Sequence, residues 1–365
     1  MTPQIIGQGV ISHNTRRGAY MPSITQLRDG GLIACQHVGR ELASADNRIE
    51  VLHTTDGAKT WHASLTIPAN EDGGWSYRGP DITELPNGRL VMTATRFEAS
   101  EGPLFNPDSE GLQRPAMILL WSDNGGKNWS PPQVVPVELP PDKYTWNKAG
   151  SLVQFSPTRW MYPLETWKPE SYAGPPDQKA AAVFSNDQGK TWGKFTVIAD
   201  DETGRRLWWD QLNTRLVDGR LYVMFWTHLY GTNEDLTVHW AASDDEGRTW
   251  SKPKPTNIRG QVCCPIALPD GRVAAIYNFR HEPQGVHVAV STDLTNFDLE
   301  NEVVVFDAGA EATLGQTDHE NFLAEHMLIA FGKPQGILLT DGDLLTCFWC
   351  TAQGVTHTRW VRLHV

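Results

Sequence analysis

Helix-period patterning is nearly missing from this chain of 365 residues, and Glu320–Ile329 is the one fair helical candidate. Long apolar runs are missing too: no stretch approaches the roughly 18 residues that a membrane span requires. Basic residues are in the minority, with 31 Lys+Arg against 43 Asp+Glu and a formal net charge of −12. That balance repels phosphate over most of the surface, so neither nucleic acid nor an anionic membrane is expected as a partner. Cysteine is scarce, with five in all, and Cys35, Cys263, Cys264, Cys347 and Cys350 frame no disulfide scaffold. Cys347 and Cys350 lie three apart in a strand-like run and point to opposite faces, which suits neither a metal nor a redox pair. They read as small buried thiols. A reducing, cytoplasmic setting is the simplest reading, with a mature secreted form as the alternative. The first nine residues lack the basic and apolar regions of a secretory signal. No phosphate loop or dinucleotide fingerprint occurs, so no cofactor is expected.

What the chain has in excess is tryptophan, 15 residues, beside 32 glycines and 24 prolines. Much of that excess belongs to a repeat. Thr55-Asp56-Gly57-Ala58-Lys59-Thr60-Trp61 returns as Ser122-Asp123-Asn124-Gly125-Gly126-Lys127-Asn128-Trp129 and as Ser185-Asn186-Asp187-Gln188-Gly189-Lys190-Thr191-Trp192. It returns again as Ser243-Asp244-Asp245-Glu246-Gly247-Arg248-Thr249-Trp250, and in decayed form at 291–297. The chemistry is that of a hairpin: Asp accepts backbone N–H groups, Gly supplies positive φ, and the aromatic folds back over the turn. Asp56, Asp123, Asp187 and Asp245 are therefore read as turn residues. Between these copies run simpler hairpins, with turns at Asp29-Gly30, Asn87-Gly88, Asp218-Gly219, Asp270-Gly271 and Asp341-Gly342. Leu152–Met161 takes that part in the third unit. Each unit thus holds four antiparallel strands. Such units repeated around an axis make an all-β, six-bladed β-propeller, which hides sheet edges by radial closure. Blades are expected to start near Tyr20, Pro80, Gly150, Gln211, Pro265 and Gln335. The strand Gln4–Ile11 completes the last one, so that 1–365 forms a single domain.

The Ser-x-Asp-x-Gly-x-Thr-Trp pattern is the Asp box (BNR repeat), and six such blades resemble the sialidase (neuraminidase) superfamily. In that family the Asp boxes lie opposite the mouth that binds sugar, so they report the fold. Where the family opens blade one with Arg-Ile-Pro, this chain has Tyr20-Met21-Pro22. The place of its catalytic tyrosine is held by Lys333, before Pro334. The place of its second arginine falls at Trp226, with His228 close by, and that of the third falls near 283–285, with Arg280 the nearest candidate. The acid of blade one aligns with His37, and Asp46 lies in the same loop. One feature is matched: the family's acidic partner of the tyrosine corresponds to Asp210, eight residues before Asp218. The resemblance implies a glycosidase scaffold whose arginine triad and tyrosine are replaced, and does not imply action on sialic acid itself.

On the residues alone, the expected mouth gathers carboxylates, histidines, arginines and tryptophans. Candidates for proton transfer are Asp210, Asp46, His37 and His228, and candidates for holding substrate are Arg78, Asp81, Arg96, Glu165, Trp209, Trp226, Arg280, His281, Glu282 and Lys333. Lys148 and Trp167 reach the same face. Carboxylate or His moves protons, Arg grips an anionic group, and Trp stacks on sugar C–H faces. Three functions fit: an exo-acting glycoside hydrolase on an acidic or unusual terminal sugar; a polysaccharide lyase using His37, His228 or His281 with Arg78 or Arg280 on a uronate; or a propeller that binds glycan or protein without turnover. A carbohydrate substrate is common to the first two. The segment 307–333 is long for a blade connection and is expected to form a lid or a subunit contact. Its His319 and His326 are seven apart and lack the i, i+4 spacing of a zinc helix, so no metal is expected.

Overall fold

A computed structural model describes residues 2–67, 74–99, 104–311 and 330–365. It is all-β: the described helix is one short turn, Ala308–Glu311. Six antiparallel sheets follow one another along the chain. Blade one runs Gly18–Gln26, Leu32–Gly39, Arg48–Thr54 and His62–Ile67, and blade four runs Arg206–Arg215, Leu221–Leu229, His239–Ser243 and Lys254–Pro255. Blade six takes Phe331–Leu338, Leu344–Ala352 and Val355–His364 from the C-terminal part and Gln4–Ser12 as its outer strand. That strand pairs from Gln4↔His364 to Ser12↔Thr358. The 320–329 helix candidate, the 307–333 lid and its two histidines lie, apart from the ends of that segment, outside the described residues. None of the described helices is long and apolar enough to cross a membrane.

The core is divided into clusters wedged between neighbouring blades, because each sheet is apolar on both faces. One cluster packs Trp208, Phe225 and Val223 of blade four on Met161, Ala182 and Phe184 of blade three. Another packs Ile33, Cys35 and Val51 of blade one on Leu90, Met92 and Ile118 of blade two. All five cysteines are buried thiols outside any disulfide.

The outer turns work as the repeat predicts. In the third copy the Thr191 N–H donates to Asp187 Oδ1 at 2.9 Å, the Gly189 N–H donates to Ser185 Oγ at 2.8 Å, and the Trp192 indole donates to the Gly189 carbonyl at 3.0 Å. Gly189 has φ +77°, and a Cβ there would stand 2.8 Å from the Trp160 ring. The second copy corrects one assignment. There the acceptor of the Asn128 N–H is Asn124 Oδ1, at 3.0 Å, whereas Asp123 is exposed and pairs with Arg89 at 2.9 Å. Counted from Ser122, the turn position is occupied by the amide and not by the acid.

The innermost strands start earlier than the turn spacing suggests, at Trp75 and Arg206 for blades two and four, because they continue through a bulge towards the mouth. In four blades two residues oppose one on the second strand: between Tyr20 and Ser23, Arg78 and Asp81, Trp209 and Leu212, and Gly332 and Gln335. The first bulged residue is left-handed each time: Met21 (φ 47°), Gly79 (φ 56°), Asp210 (φ 49°) and Lys333 (φ 36°). A bulge re-aims a side chain, and non-glycine residues in this region carry strain of order 1–3 kcal/mol. The four bulges form one pseudo-symmetric ring at one end of the propeller.

Candidate active site

All four bulge residues line a single depression, which encloses about 1290 Å³ including the solvent at its opening. Its charged lining is Arg78, Lys148, Glu165, Asp210, Arg280 and Lys333. Glu165 comes from the second strand of blade three, opposite Asn147, which accepts the Thr95 hydroxyl at 2.7 Å. Asn147 hydrogen-bonds the Glu165 carboxylate in turn. Asp210 is delivered from blade four. Gln211, beside it, donates to the Leu164 and Ala181 carbonyls at 2.7 and 2.8 Å and so anchors the bulge on blade three. The Asp210 N–H donates to Glu165 Oε2 at 2.9 Å. Lys333 Nζ lies 3.2 Å from Asp210 Oδ1.

The two carboxyl groups are therefore unlike each other. Burial first, and then the charge of Asp210, pushes Glu165 up to about 7, against the pull of the Asp210 N–H, Lys333 and Asn147. Asp210 has an ammonium partner. Burial lowers Arg78, with Asp210 and Glu165 opposing the shift, and lowers Arg280 to about 9 against the pull of Asp235 and Asp210. The Arg280 guanidinium sits 4.5 Å from the centre of the Phe331 ring, and its other end donates to the Phe331 carbonyl. Two buried atoms of lining residues, Arg280 Nε and Asn278 Oδ1, have no hydrogen-bond partner in the described structure. Lys148 differs from the other cations: it is buried against Asp81, which lies behind the lining.

Three tryptophans complete the wall. Trp167 and Trp209 pack with ring centres 5.7 Å apart, and Trp209 and Trp226 at 4.8 Å, edge to face. Trp226 is only 1% exposed, too covered to offer a stacking face; it buttresses Trp209.

Of the residues expected at the mouth, Arg78, Lys148, Glu165, Trp167, Trp209, Asp210, Trp226, Arg280 and Lys333 are brought together in this lining. The others are not, and their placement corrects the expectation. His37 is fully buried, with Nε2 2.9 Å from the Leu42 carbonyl and Nδ1 accepting the Gly79 N–H at 3.4 Å. Burial and the charge of Arg78 depress it to about 3, so it stays neutral and braces the bulge of blade two. His228 has Nδ1 3.0 Å from Asp235 and Nε2 3.0 Å from the Thr232 carbonyl. Asp235 also accepts the Trp226 indole at 2.7 Å and the Gln261 amide at 2.9 Å, so His228 belongs to the frame that fixes Trp226. Asp46 is committed to its own loop. Burial opposes its ionisation, but the Ser44 hydroxyl at 2.7 Å, the Arg40 N–H and the nearby Arg40 and Arg17 hold it below the usual carboxylate range. Asp81 is spent on Lys148, and the Arg96 guanidinium lies on the Trp75 ring at 4.0 Å. His281 packs edge-on against Phe279 at 5.4 Å, and Glu282 is exposed; neither reaches the cavity.

Sequence reasoning missed the apolar part of the lining: Met21, Leu42, Leu104, Phe105, Leu112 and Trp349. The signals were the residue-before-proline positions Met21-Pro22, Gly79-Pro80 and Lys333-Pro334, and the length of the 99–115 connection. Among the described residues no group of His, Cys, Asp or Glu is arranged to hold a metal ion.

A family model described as a BNR repeat-like domain matches residues 105–313. No curated protein matches the sequence. Among solved structures, a protein of unknown function from Dyadobacter fermentans superposes with a TM-score of 0.76 at 20% identity, over 100% of this chain and 99% of that one. The α-L-arabinanase of Penicillium chrysogenum, complexed with arabinobiose, gives 0.66 at 14% identity, over 99% and 97%. The NanB sialidase of Streptococcus pneumoniae gives 0.67 at 13%, over 100% of this chain and 71% of that chain. Likeness at such identities concerns the fold, and function must be argued from the site.

Proposed function

This chain belongs to the BNR repeat-like domain family, and on that premise we propose that it is an exo-acting glycoside hydrolase that removes an acidic terminal sugar. The observation that carries the reading is the unequal carboxyl pair. Glu165, raised to about 7, still holds its proton near neutrality, while Asp210 lies against the Lys333 ammonium. Two titratable groups driven apart by their surroundings are the usual mark of an acid and its charged counterpart. Glu165 donates its proton to the glycosidic oxygen as the C–O bond breaks. Asp210 faces the positive charge that develops at the anomeric carbon, and water supplies the hydroxyl of the product while its remaining proton restores the Glu165 carboxyl. Arg78 and Arg280 are left to hold the sugar's own acidic group, since Lys148 is already matched by Asp81.

The lyase reading would draw its base from His37, His228 or His281, and none of these lines the cavity. A panel of methyl and 4-nitrophenyl glycosides of uronic and nonulosonic acids, with neutral sugars as controls, tests the proposal; the pH profile and the Glu165 variant are read on the methyl glycosides, whose leaving oxygen needs a proton. Release from an acidic member is expected, with kcat/KM falling about tenfold per pH unit above pH 7 as Glu165 loses its proton. Glu165→Gln should lower it by about 10²–10⁴. Equal release from neutral sugars, an unsaturated ultraviolet-absorbing product, or no release at all would each sink the reading.

A further inference from the structure

The long connection between the second and third strands of blade two folds into a hairpin of its own, Phe105–Asn106 with Gly111–Leu112. Its turn is built locally. Asn106 Oδ1 accepts the N–H groups of Asp108 and Ser109 at 3.0 and 3.3 Å, and Glu110 takes the left-handed conformation at φ 53°. The hairpin then leaves its own blade. The Leu112 N–H donates to the Lys168 carbonyl at 3.0 Å, and Leu112 bridges Pro169 in parallel. A Cβ on Gly111 would stand 2.4 Å from Glu170 Cα, so the approach to blade three requires glycine.

Glu110 fastens this arm twice. Its carbonyl accepts the Trp167 indole N–H at 2.6 Å, and its carboxylate accepts the Tyr230 hydroxyl at 2.6 Å. Burial, and then that carboxylate, pushes Tyr230 up to about 12. Blade two is thereby tied to blade three through the backbone and to blade four through a side chain. To the cavity the arm presents apolar groups, Leu104, Phe105, Leu112 and Pro115, and the tryptophan that it fastens lines the same space.

We infer that the 104–115 arm ends the binding cleft on the side of blades two to four, so that a glycan enters by one chain end, and that Glu110 is the positioning residue that holds the arm and Trp167. This rests on the glycosidase reading and adds to it the element that makes the action exo. Tyr230 lies outside the cavity lining, so Tyr230→Phe cuts the side-chain latch without altering the wall.

Three proteins are compared with the full wild-type chain: Tyr230→Phe, Glu110→Gln, and a variant in which 105–112 are replaced by two glycines. Hydrogen exchange at 104–115 needs no substrate. Its rate should rise at least tenfold in Tyr230→Phe, and an unchanged rate would overturn the latch. Polygalacturonate and polysialic acid serve as polymeric probes, with products sized by chromatography. The wild type should release single sugars only; the arm-less variant should yield internal fragments, with KM for the 4-nitrophenyl substrate raised at least tenfold and kcat changed far less. Single sugars alone from a folded arm-less variant would overturn the chain-end role, and should that variant fail to fold, the same KM-against-kcat split in Tyr230→Phe and Glu110→Gln decides it. A wild type inactive on every probe sinks the hydrolase reading and the chain-end role with it, while the exchange rates judge the latch by themselves.

Discussion

The two ends of the propeller use one backbone device in opposite ways. At the outer turns, left-handed residues recur copy after copy, and the side chains around them recur too: a Ser or Thr that bonds the Asp or Asn two residues on, and an aromatic, whose indole reaches the glycine carbonyl in three copies. At the mouth the left-handed bulge recurs in four blades, yet its side chains are a thioether, none at all, a carboxylate and an ammonium. The outer end repeats both geometry and chemistry and holds the blades in shape. The inner end repeats geometry alone, and the broken chemical symmetry is where a site can exist. Strain at the outer end is offset by turn hydrogen bonds; at Asp210 and Lys333 the compensation is their mutual ion pair.

Substitutions at the two ends should therefore part company. The largest expected effect is at the mouth: Asp210→Asn should lower kcat/KM on an accepted acidic glycoside by about 10³-fold or more, with the melting temperature changed by no more than a few degrees. A comparable loss from an outer-turn change would break the distinction. Next comes Gly189→Ala, which puts a Cβ against the Trp160 ring at φ +77°. Urea titration should show it destabilised by about 2–4 kcal/mol, with kcat/KM per folded molecule intact. Asp245→Ala removes the acceptor of the Thr249 N–H at 2.8 Å and should cost about 1–2 kcal/mol, again without a kinetic effect.

The smallest expected effect concerns pH. The Glu165 carboxyl is raised in the folded protein, so the stability linked to its proton is fully present below its unfolded value of 4.5 and is lost as pH rises through about 7. The urea midpoint of the wild type should fall across that window, and Glu165→Gln should flatten this component. An equal slope in both proteins would show that the carboxyl is not held in its protonated form by burial.

The six blades were legible because turns are local: Asp, Gly and Trp within eight residues state their own geometry. The carboxyl pair was half legible. Asp210 could be found by counting from its turn, and Glu165 belonged to the expected mouth, but their apposition depends on how blade three meets blade four, which no local pattern records. His37 and His228 were placed on the right loops and strands, and the error lay in direction, since each turns into the protein to satisfy both ring nitrogens. The Asn124 register was readable by counting from Ser122. The arm stayed hidden because its partners, Trp167 and Tyr230, are 57 and 120 residues away from Glu110.

The sheet that joins Gln4 to His364 makes one blade out of the two most distant parts of the described chain. Loop-closure entropy grows only with the logarithm of length, so for a loop of this size it is on the order of 5 kcal/mol. Time is the stricter constraint. As the chain emerges from the ribosome, blades one to five can be assembled in order, while Gln4–Ser12 keeps an open edge with exposed Ile6 and Val10. During synthesis that strand is an unpaired ribbon, able to pair with a neighbouring copy until its own last strand is made.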